Sequence, residues 1–333
     1  MRGALGARQW RRLPPPPPLP LSSSLKKKVR LPRPSKRLLL RLLVVIALIA
    51  FVPPVFFHFR LRLFNQMRMR KCDWLESPPL LCAHGGDSSR AAPNTMDAYH
   101  IAIQSHVDCI EIDVSRSLDG TLFALHDRDL QRMSGNSTAK VGFMSTEEIN
   151  KLEADFKLGL GSSKYKVPTI HEALMFVSGS VRQVVLDVKV GPPSFEKDLA
   201  KDVLSAVHRS ECKNCLIWAK SDVVVQDVVK LKEDAMVGYI VMKDPDTGAM
   251  SNLLRMENAV IVGVYHPLID KRLVQILHGS RKKVYAWTVD DPDSMRGLLY
   301  EHVDAIVTGN PSLLQKLMQE LKTECLAEGF SLP

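Results

Sequence analysis

The chain has 333 residues, 45% of them hydrophobic, which is enough to build one large core or two modest ones. Its formal net charge is +9, but residues 1–72 hold 17 Lys or Arg residues and no acidic residue. The remainder carries 28 basic against 36 acidic residues, a net charge of −8. The basic excess therefore belongs to an N-terminal arm, and the balance gives no support for a nucleic-acid-binding surface on the folded part.

The N-terminal arm divides into three parts by composition. Residues 1–37 are basic and rich in Pro and Ser, which predicts disorder because such a segment cannot bury a core. Residues 42–57 form an uninterrupted apolar run, extendable to Leu38, which predicts a transmembrane anchor over 38–58 and a juxtamembrane linker over 59–77. An uncleaved signal-like segment and an organelle transit peptide are the alternatives.

The basic residues near the apolar run favour one orientation in a membrane. Eight lie on its N-terminal side, from Lys26 to Arg41, and five on the other side, from Arg60 to Lys71. By the positive-inside rule, the N-terminus is expected in the cytosol and the rest in the lumen of the secretory pathway or outside the cell. The glycosylation sequon that begins at Asn136 agrees with this placement.

The six cysteines do not settle the redox compartment. Cys82 and Cys109 lie in apolar strand candidates and are interpreted as small core residues. Cys212 and Cys215 have the C-x-x-C spacing, but no second pair of this kind completes a zinc site. We interpret these two as a local disulfide or as two free thiols.

From residue 78 onward, short apolar runs alternate with segments of helical periodicity. We predict strands at 80–84, 109–114, 122–126, 183–188, 215–219, 237–241, 260–264, 283–289 and 304–308. We predict helices at 94–105, 169–177, 195–209, 223–233, 271–278, 292–301 and 312–325. This alternation predicts an α/β domain over 78–325, a TIM (β/α)8 barrel, with an open doubly wound sheet as the alternative.

One joint does not suit a regular barrel. About seven residues, centred on Asp119 and Gly120, link the second predicted strand to the third. This link is too short for a crossover helix and predicts a hairpin-like turn. Residues 128–166 then form a long polar connection with one short helix predicted over 145–152. We therefore expect the barrel to be irregular here.

Two carboxylates and two imidazoles lie at the ends of predicted strands. Residues i and i+2 of a strand share a face, so Glu111 and Asp113 project together. They repel each other unless one is protonated or a cation lies between them, and a divalent ion with oxygen ligands is the simplest solution. The surrounding run is apolar enough for a strand buried on both faces, which disfavours a solvated edge. His84 precedes this pair and His126 follows it.

This order of residues resembles the glycerophosphodiester phosphodiesterase family, part of the phospholipase-C-like phosphodiesterase barrels. The matching text is AHGG at 83–86, APNT at 92–95, DCIEIDVSRSLDGTLFALHD at 108–127, VPTIHEAL at 167–174, VVLDVK at 184–189 and VYAWTVDD at 284–291. The match extends to Pro311. The resemblance implies a hydrolase of lipid metabolism that converts glycerophosphodiesters to an alcohol and glycerol 3-phosphate.

The resemblance also implies roles for single residues. His84 and His126 match the two catalytic histidines of the family. Glu111 and Asp113 match two metal ligands, and Asp187 falls where a third acidic ligand is expected. The implied cofactor is a divalent cation, with Ca2+ favoured over Mg2+.

Two further residues follow from the same resemblance. Lys189 matches a lysine that contacts phosphate, and Trp287 matches an aromatic wall near the glycerol end. Hydrolysis requires a neutralised phosphate, a protonated leaving alkoxide and a deprotonated nucleophile, which a cation and two histidines can supply. The expected partners are a glycerophosphodiester substrate and, through the anchor, a membrane, but no nucleic acid.

Three positions depart from the family pattern. Gly85 stands where the family has an arginine that clamps phosphate, and glycine does not replace a bidentate guanidinium; Arg90 is the basic residue that could reach in. The pair Pro93-Asn94 lacks the glutamate of the family motif, and Asp187 replaces a longer glutamate. These departures leave open a catalytically weakened barrel that binds phosphodiesters at a membrane. The anchor adds a lysophospholipase-D-like activity as a further alternative.

Overall fold

The computed structural model describes residues 35–152, 154–158, 161–244 and 247–330. The predicted disordered arm, 1–37, lies almost entirely outside these residues. The chain divides into two compact units, Met1–Arg62 and Leu63–Pro333.

The described residues of the first unit are helical almost throughout. Helix α1 spans Lys36–Cys72 and continues through Pro53 and Pro54. Its segment Lys36–Leu63 is long and apolar enough to cross a membrane, with a mean hydropathy of 2.6 and none of its apolar window buried. The predicted anchor, 38–58, lies within this segment.

The segment predicted as a linker, 59–77, is ordered into secondary structure for most of its length. Helix α1 occupies it as far as Cys72, and a 3-10 turn at Asp73–Leu75 follows. Trp74 is buried there, and Cys72 forms a disulfide with Cys325 near the C-terminus. The end of the predicted linker, which belongs to the second unit, is therefore fixed to the core of that unit.

The second unit is built on strands that agree closely with the predicted ones. They are β1 (Leu80–His84), β2 (Cys109–Arg116), β3 (Leu122–Ala124), β4 (Ala154–Leu158), β5 (Gly161–Tyr165), β6 (Gln183–Val188), β7 (Cys215–Ala219), β8 (Val237–Val241), β9 (Ile261–Tyr265), β10 (Lys283–Trp287) and β11 (Ala305–Thr308). Eight of them, β1, β2 and β6–β11, pair in parallel, and β11 pairs with β1 to close the sheet. The TIM-type barrel is confirmed, and the open doubly wound sheet is excluded.

Helices follow most of the strands and cover the outside of the barrel. They are α2 (Met96–Gln104), α3 (Asp127–Ser134), α4 (Thr146–Asn150), α5 (Ile170–Val177), α6 (Leu199–Arg209), α7 (Asp222–Leu231), α8 (Lys271–Gly279), α9 (Pro292–Tyr300) and α10 (Pro311–Ala327). Their caps explain the bounds: Thr95, for example, accepts a hydrogen bond from Ala98 N at the start of α2.

The expected irregularity lies where the link between strands is short. β3 returns antiparallel to β2, with Val114 paired to Ala124, so the predicted hairpin is present. β3 ends before His126, because that residue caps α3 instead of continuing the strand. Helix α3 and the small antiparallel sheet of β4 and β5 were not predicted, and both lie in the long polar connection.

The inward-facing side chains explain where a site can form. Alternate residues of the barrel strands, among them Cys82, Val185 and Trp218, pack together inside it. Gly263 accommodates the ring of Trp218, since a Cβ there would lie 2.8 Å from that ring. On β1, β2 and β6 the next inward positions toward the carboxyl ends are His84, Glu111 and Asp187, so this part of the upper layer is polar while the layer below is apolar.

Disulfides join all six cysteines in the structure. Cys82 and Cys109 are fully buried as expected, but they are bonded to each other across β1 and β2, where the sheet register pairs them. Their interpretation as small core residues is confirmed, and the bond between them was not predicted because the strand neighbours were unknown. For Cys212 and Cys215, the structure has the local disulfide rather than two free thiols.

Candidate active site

Four of the predicted site residues meet at the carboxyl ends of three neighbouring strands. The sheet register pairs His84 of β1 with Glu111 of β2, and Asp113 of β2 with Asp187 of β6. Paired residues of parallel strands face the same side, so all four enter the barrel mouth. The sequence correctly predicted that Glu111 and Asp113 share a face.

Three of these residues form a group that could hold a metal ion. His84, Glu111 and Asp113 each offer a ligand atom, and these atoms all lie within 4.8 Å of one another. His84 Nε2 lies 4.0 Å from Glu111 Oε2, and the backbone N–H of Gly85 donates to the same carboxylate oxygen at 3.1 Å. The group includes a histidine that was predicted to act on protons, in addition to the two predicted acidic ligands.

Asp187 lies beside this group, but its carboxylate is engaged with Lys189. Its other oxygen, Oδ1, is buried and has no hydrogen-bond partner among the described residues. A buried carboxylate oxygen without a donor is costly unless a cation or water satisfies it. The donor set of two or three carboxylates and one imidazole, with one orphaned oxygen, therefore fits a divalent cation.

The carboxylates of the site differ in their tendency to ionise. Burial raises the pKa of Glu111 well above its usual range, and the nearby charges of Asp113 and Asp187 raise it further. Burial also acts to raise the pKa of Asp113, but Lys189, His84 and His126 together outweigh it, and the pKa falls below its usual value. A divalent cation would favour the ionised form of each group.

Lys189 is held among the carboxylates. Its Nζ lies 2.7 Å from Asp113 Oδ1 and also contacts Asp187. Burial acts to lower the pKa of Lys189, but the charges of Asp113, Asp187 and Glu111 raise it on balance. The side chain predicted to contact phosphate thus has two carboxylate partners in this structure.

The second predicted histidine stands at the start of α3. His126 Nδ1 accepts a hydrogen bond from the backbone N–H of Arg128 at 3.1 Å, which makes His126 the N-cap of the helix. The neutral ring therefore carries its proton on Nε2. Burial lowers the pKa of His126 to about 4 and also lowers the pKa of His84, so both rings are neutral near pH 7.

Asn94 is a site residue to which the sequence analysis gave no role. Its amide donates to Asp113 Oδ2 at 2.8 Å, and its carbonyl accepts from the backbone N–H of Asp113 at 3.1 Å. Its backbone has φ of +60°, a left-handed conformation that Asn tolerates well. The Ala-Pro-Asn-Thr text was the signal that could have indicated this residue.

Trp287 lies at the mouth on β10, as expected of an aromatic wall. Its ring centroid is 5.6 Å from that of Tyr265, and Lys220 Nζ, beyond the end of β7, lies 5.8 Å from the Trp287 ring centroid. The Trp287 Nε1–H is buried and has no acceptor in the described part of the chain. Lys220 had not been predicted as a site residue, although it directly follows a predicted strand.

The structure explains the glycine that departs from the family pattern. Gly85 has φ of +63°, and a Cβ built on it would lie 2.9 Å from Pro93 Cβ, so a side chain does not fit there. Arg90 does not reach into the mouth, since it is exposed and lies 4.0 Å from Asp87. The guanidinium of Arg128, by contrast, comes to 3.5 Å from His84 Nε2.

The model of the glycerophosphoryl diester phosphodiesterase family matches residues 84–313. Among curated proteins, glycerophosphodiester phosphodiesterase GDPD4 of Arabidopsis thaliana is 56% identical over 293 residues, which cover 87% of this chain and 89% of that protein. A glycerophosphodiester phosphodiesterase of Caldanaerobacter subterraneus is 28% identical over 250 residues, 72% of this chain and 98% of the other. Among solved structures, a phosphodiesterase of Oleispira antarctica in complex with the product sn-glycerol-3-phosphate has a TM-score of 0.60 at 22% identity, covering 72% of this chain and 97% of that one.

Proposed function

The chain belongs to the glycerophosphoryl diester phosphodiesterase family and is a phosphoric diester hydrolase, and from this premise we propose that it uses a divalent cation to convert glycerophosphodiesters to an alcohol and glycerol 3-phosphate. The observation that carries the proposal is the convergence of His84, Glu111 and Asp113 at the barrel mouth. Barrel enzymes keep their active sites at this end of the strands.

We propose that Glu111, Asp113 and Asp187 hold the cation, with Ca2+ favoured over Mg2+. The orphaned oxygen of Asp187 and the raised pKa of Glu111 support this, because both are relieved by a nearby positive charge. When bound, a divalent cation polarises the phosphoryl group and offsets its negative charge. Lys189, between Asp113 and Asp187, adds a fixed positive charge at the same point.

The two histidines would act on the leaving oxygen and on the attacking oxygen of the reaction. The His126 Nε2–H can donate a hydrogen bond to the leaving oxygen, because its Nδ1 is already engaged by Arg128 N, and the alkoxide then takes its proton from solvent water. His84 presents Nε2 toward Glu111 and is suited to accept a proton from the attacking oxygen. Each proton transfer of this kind typically contributes about 10²–10⁴-fold to the rate. Trp287 would form the wall against the glycerol end of the substrate.

We further propose a single-pass membrane protein with its catalytic barrel on the lumenal or extracellular side. It would comprise an arm at 1–37, an anchor at 38–58, a linker at 59–77 and the barrel domain at 78–325. The apolar segment Lys36–Leu63 supports an anchor. The disulfides agree with an oxidising compartment, since such bonds are rare in the cytosol.

The test is hydrolysis by the full-length protein in detergent, with a panel of glycerophosphodiesters and lysophospholipids and with glycerol 3-phosphate release as the readout. His84→Ala and His126→Ala should each lose at least about 100-fold in kcat while keeping the circular dichroism spectrum of the wild type. His208→Ala, an exposed residue of α6, is the matched control and should be fully active.

Cation affinity separates two roles for His84. If His84→Ala binds Ca2+ as tightly as the wild type, the ring acts on protons; if affinity falls about 10-fold or more, the ring is a ligand. Full activity in both histidine variants would contradict the proposed mechanism. Release of an acidic lysophospholipid product without glycerol 3-phosphate would instead favour the lysophospholipase-D-like activity.

A further inference from the structure

Three cationic side chains surround the barrel mouth, and they differ in their partners. Lys189 is ion-paired with two carboxylates, as described above. Lys220 and Arg128 have no carboxylate within ion-pair distance among the described residues. An anion that enters the mouth therefore meets two cationic side chains that have no carboxylate in direct contact.

The position of Lys220 follows from the geometry of β7. Alternate residues of this strand, Leu216 and Trp218, face the barrel interior, and Lys220 is the next position in that series. The register that pairs Val188 with Ala219 brings Lys220 to the level of Lys189 on the neighbouring strand. The contact of Lys220 Nζ with the ring of Trp287 agrees with this orientation.

Arg128 approaches the site from another side. It lies in the first turn of α3, whose N-cap is His126, and its side chain is exposed. Its Nη2 lies 3.5 Å from His84 Nε2, so the guanidinium stands beside a predicted catalytic ring. Its charge also contributes to lowering the pKa of Lys220, after burial and the charge of Lys189.

The charges of the inner site do not by themselves attract a phosphate group, which gives Arg128 and Lys220 a role. Three ionised carboxylates are balanced by one divalent cation and Lys189, so the inner site attracts no net negative charge. A phosphodiester carries one negative charge, and the phosphate monoester product carries close to two at neutral pH. Arg128 beside His84 and Lys220 near Trp287 supply two positive charges at the barrel mouth.

We propose that Arg128 and Lys220 form a two-cation clamp that binds the phosphoryl oxygens of the substrate and of the glycerol phosphate product, with Arg128 beside His84 and Lys220 over Trp287. This inference rests on the proposed function. Through Arg128, helix α3 supplies the guanidinium that the position of Gly85 cannot carry. It binds the product more strongly than the substrate, because the product has the larger negative charge.

The test uses the full-length enzyme with its cation, comparing Arg128→Gln and Lys220→Gln with the wild type. Each variant should raise KM and weaken inhibition by glycerol 3-phosphate about 10-fold or more, with a smaller change in kcat. Lys220→Arg should keep most of the affinity because it retains the charge. The product should bind more weakly to both Gln variants in calorimetry, which does not depend on turnover.

Matched controls come from the opposite end of the barrel. Lys213 precedes β7 and Arg209 ends α6, and both are exposed. Lys213→Gln and Arg209→Gln should leave KM and product binding unchanged, and all four Gln variants should unfold at the temperature of the wild type.

The outcomes separate the clamp from the proposed function. An active wild type whose two clamp variants bind glycerol 3-phosphate as tightly as the controls would overturn the clamp and leave the function standing. A wild type that neither hydrolyses glycerophosphodiesters nor binds glycerol 3-phosphate would overturn both.

Discussion

Asn94 and Asp113 show how single residues of the site depend on one another. Their two reciprocal hydrogen bonds orient the Asp113 carboxylate. The hydroxyl of Tyr99 in turn donates to Asn94 Oδ1 at 3.4 Å. A carboxylate held in this way is oriented in advance for the cation that we propose it binds. Outer partners of this kind commonly affect metal affinity as strongly as activity.

Asn94→Gly tests this support, because glycine tolerates the left-handed backbone and removes only the side chain. We expect cation affinity and hydrolysis to fall by about 10–100-fold, with a loss of about 1–3 kcal/mol in the free energy of unfolding because Asp113 Oδ2 loses its hydrogen-bond donor. Asn252→Gly, on an exposed loop, is the control. Unaltered cation affinity in Asn94→Gly would show that Asp113 does not need this partner.

The residue scale also shows what the sequence could predict. Glu111 and Asp113 were identifiable because strand alternation places them on one face, and His84 was identifiable from the resemblance to the family motif. Arg128 and Lys220 gave no such signal, because their roles depend on how α3 and β7 are positioned around the mouth. A lysine or arginine at the end of an element is ordinary until its neighbours in space are known.

Helix α3 is the element that most changes the predicted picture. The sequence analysis assigned its residues to a long polar connection, since the segment has few apolar residues to indicate a helix. Its start is fixed by a histidine N-cap, which the usual preference for Ser, Thr, Asp or Asn does not suggest. The helix therefore couples the position of His126 to the first turn that carries Arg128.

The burial of His126 at the start of this helix makes the stability of the fold depend on pH, with a definite sign. Burial lowers the pKa of His126 to about 4, below the value of about 6.5 in an unfolded chain. The unfolded state therefore binds more protons between these values, and stability falls as the pH drops from about 6.5 toward 4. Allowing for solvent at the half-buried ring, we expect about 1–2 kcal/mol from this residue.

His126→Gln should remove this part of the pH dependence, because glutamine does not titrate but can still accept from Arg128 N. The measurement is urea unfolding at pH 4.5 and pH 7 with a chelator present, so that metal binding does not contribute. The difference between the two pH values should shrink in His126→Gln and stay unchanged in His208→Gln. Equal differences in the wild type and His126→Gln would show that this ring is not kept neutral by the fold.

At the scale of the whole molecule, the barrel was predictable and its covalent links were not. Alternating strand and helix patterns define the order of the strands, because parallel strands joined by helices close most simply in chain order. Disulfide pairing depends on contacts between distant segments, and six cysteines allow 15 pairings. The bond from Cys72 to Cys325 joins residues 253 positions apart and so could not be read from local spacing.

The Cys72–Cys325 bond should contribute more to stability than the local bond from Cys212 to Cys215. Cross-linking distant residues removes more freedom from the unfolded chain than closing a loop of sequence separation 3. The double variant Cys72→Ala/Cys325→Ala should lose about 2–5 kcal/mol in urea unfolding. The second pair, changed in the same way, is the control and should lose less. A larger loss in the control pair would reverse this ranking.

Cation-dependent hydrolysis by the full-length protein is the most direct measurement for the site at the barrel mouth. Activity should vanish in excess chelator and return on titration with Ca2+, with glycerol 3-phosphate released in step with cation binding followed by calorimetry. Glu111→Gln, which keeps the shape of the side chain and removes its charge, should lose both signals. Undiminished hydrolysis in the chelator, or an active Glu111→Gln that binds no cation, would contradict the account.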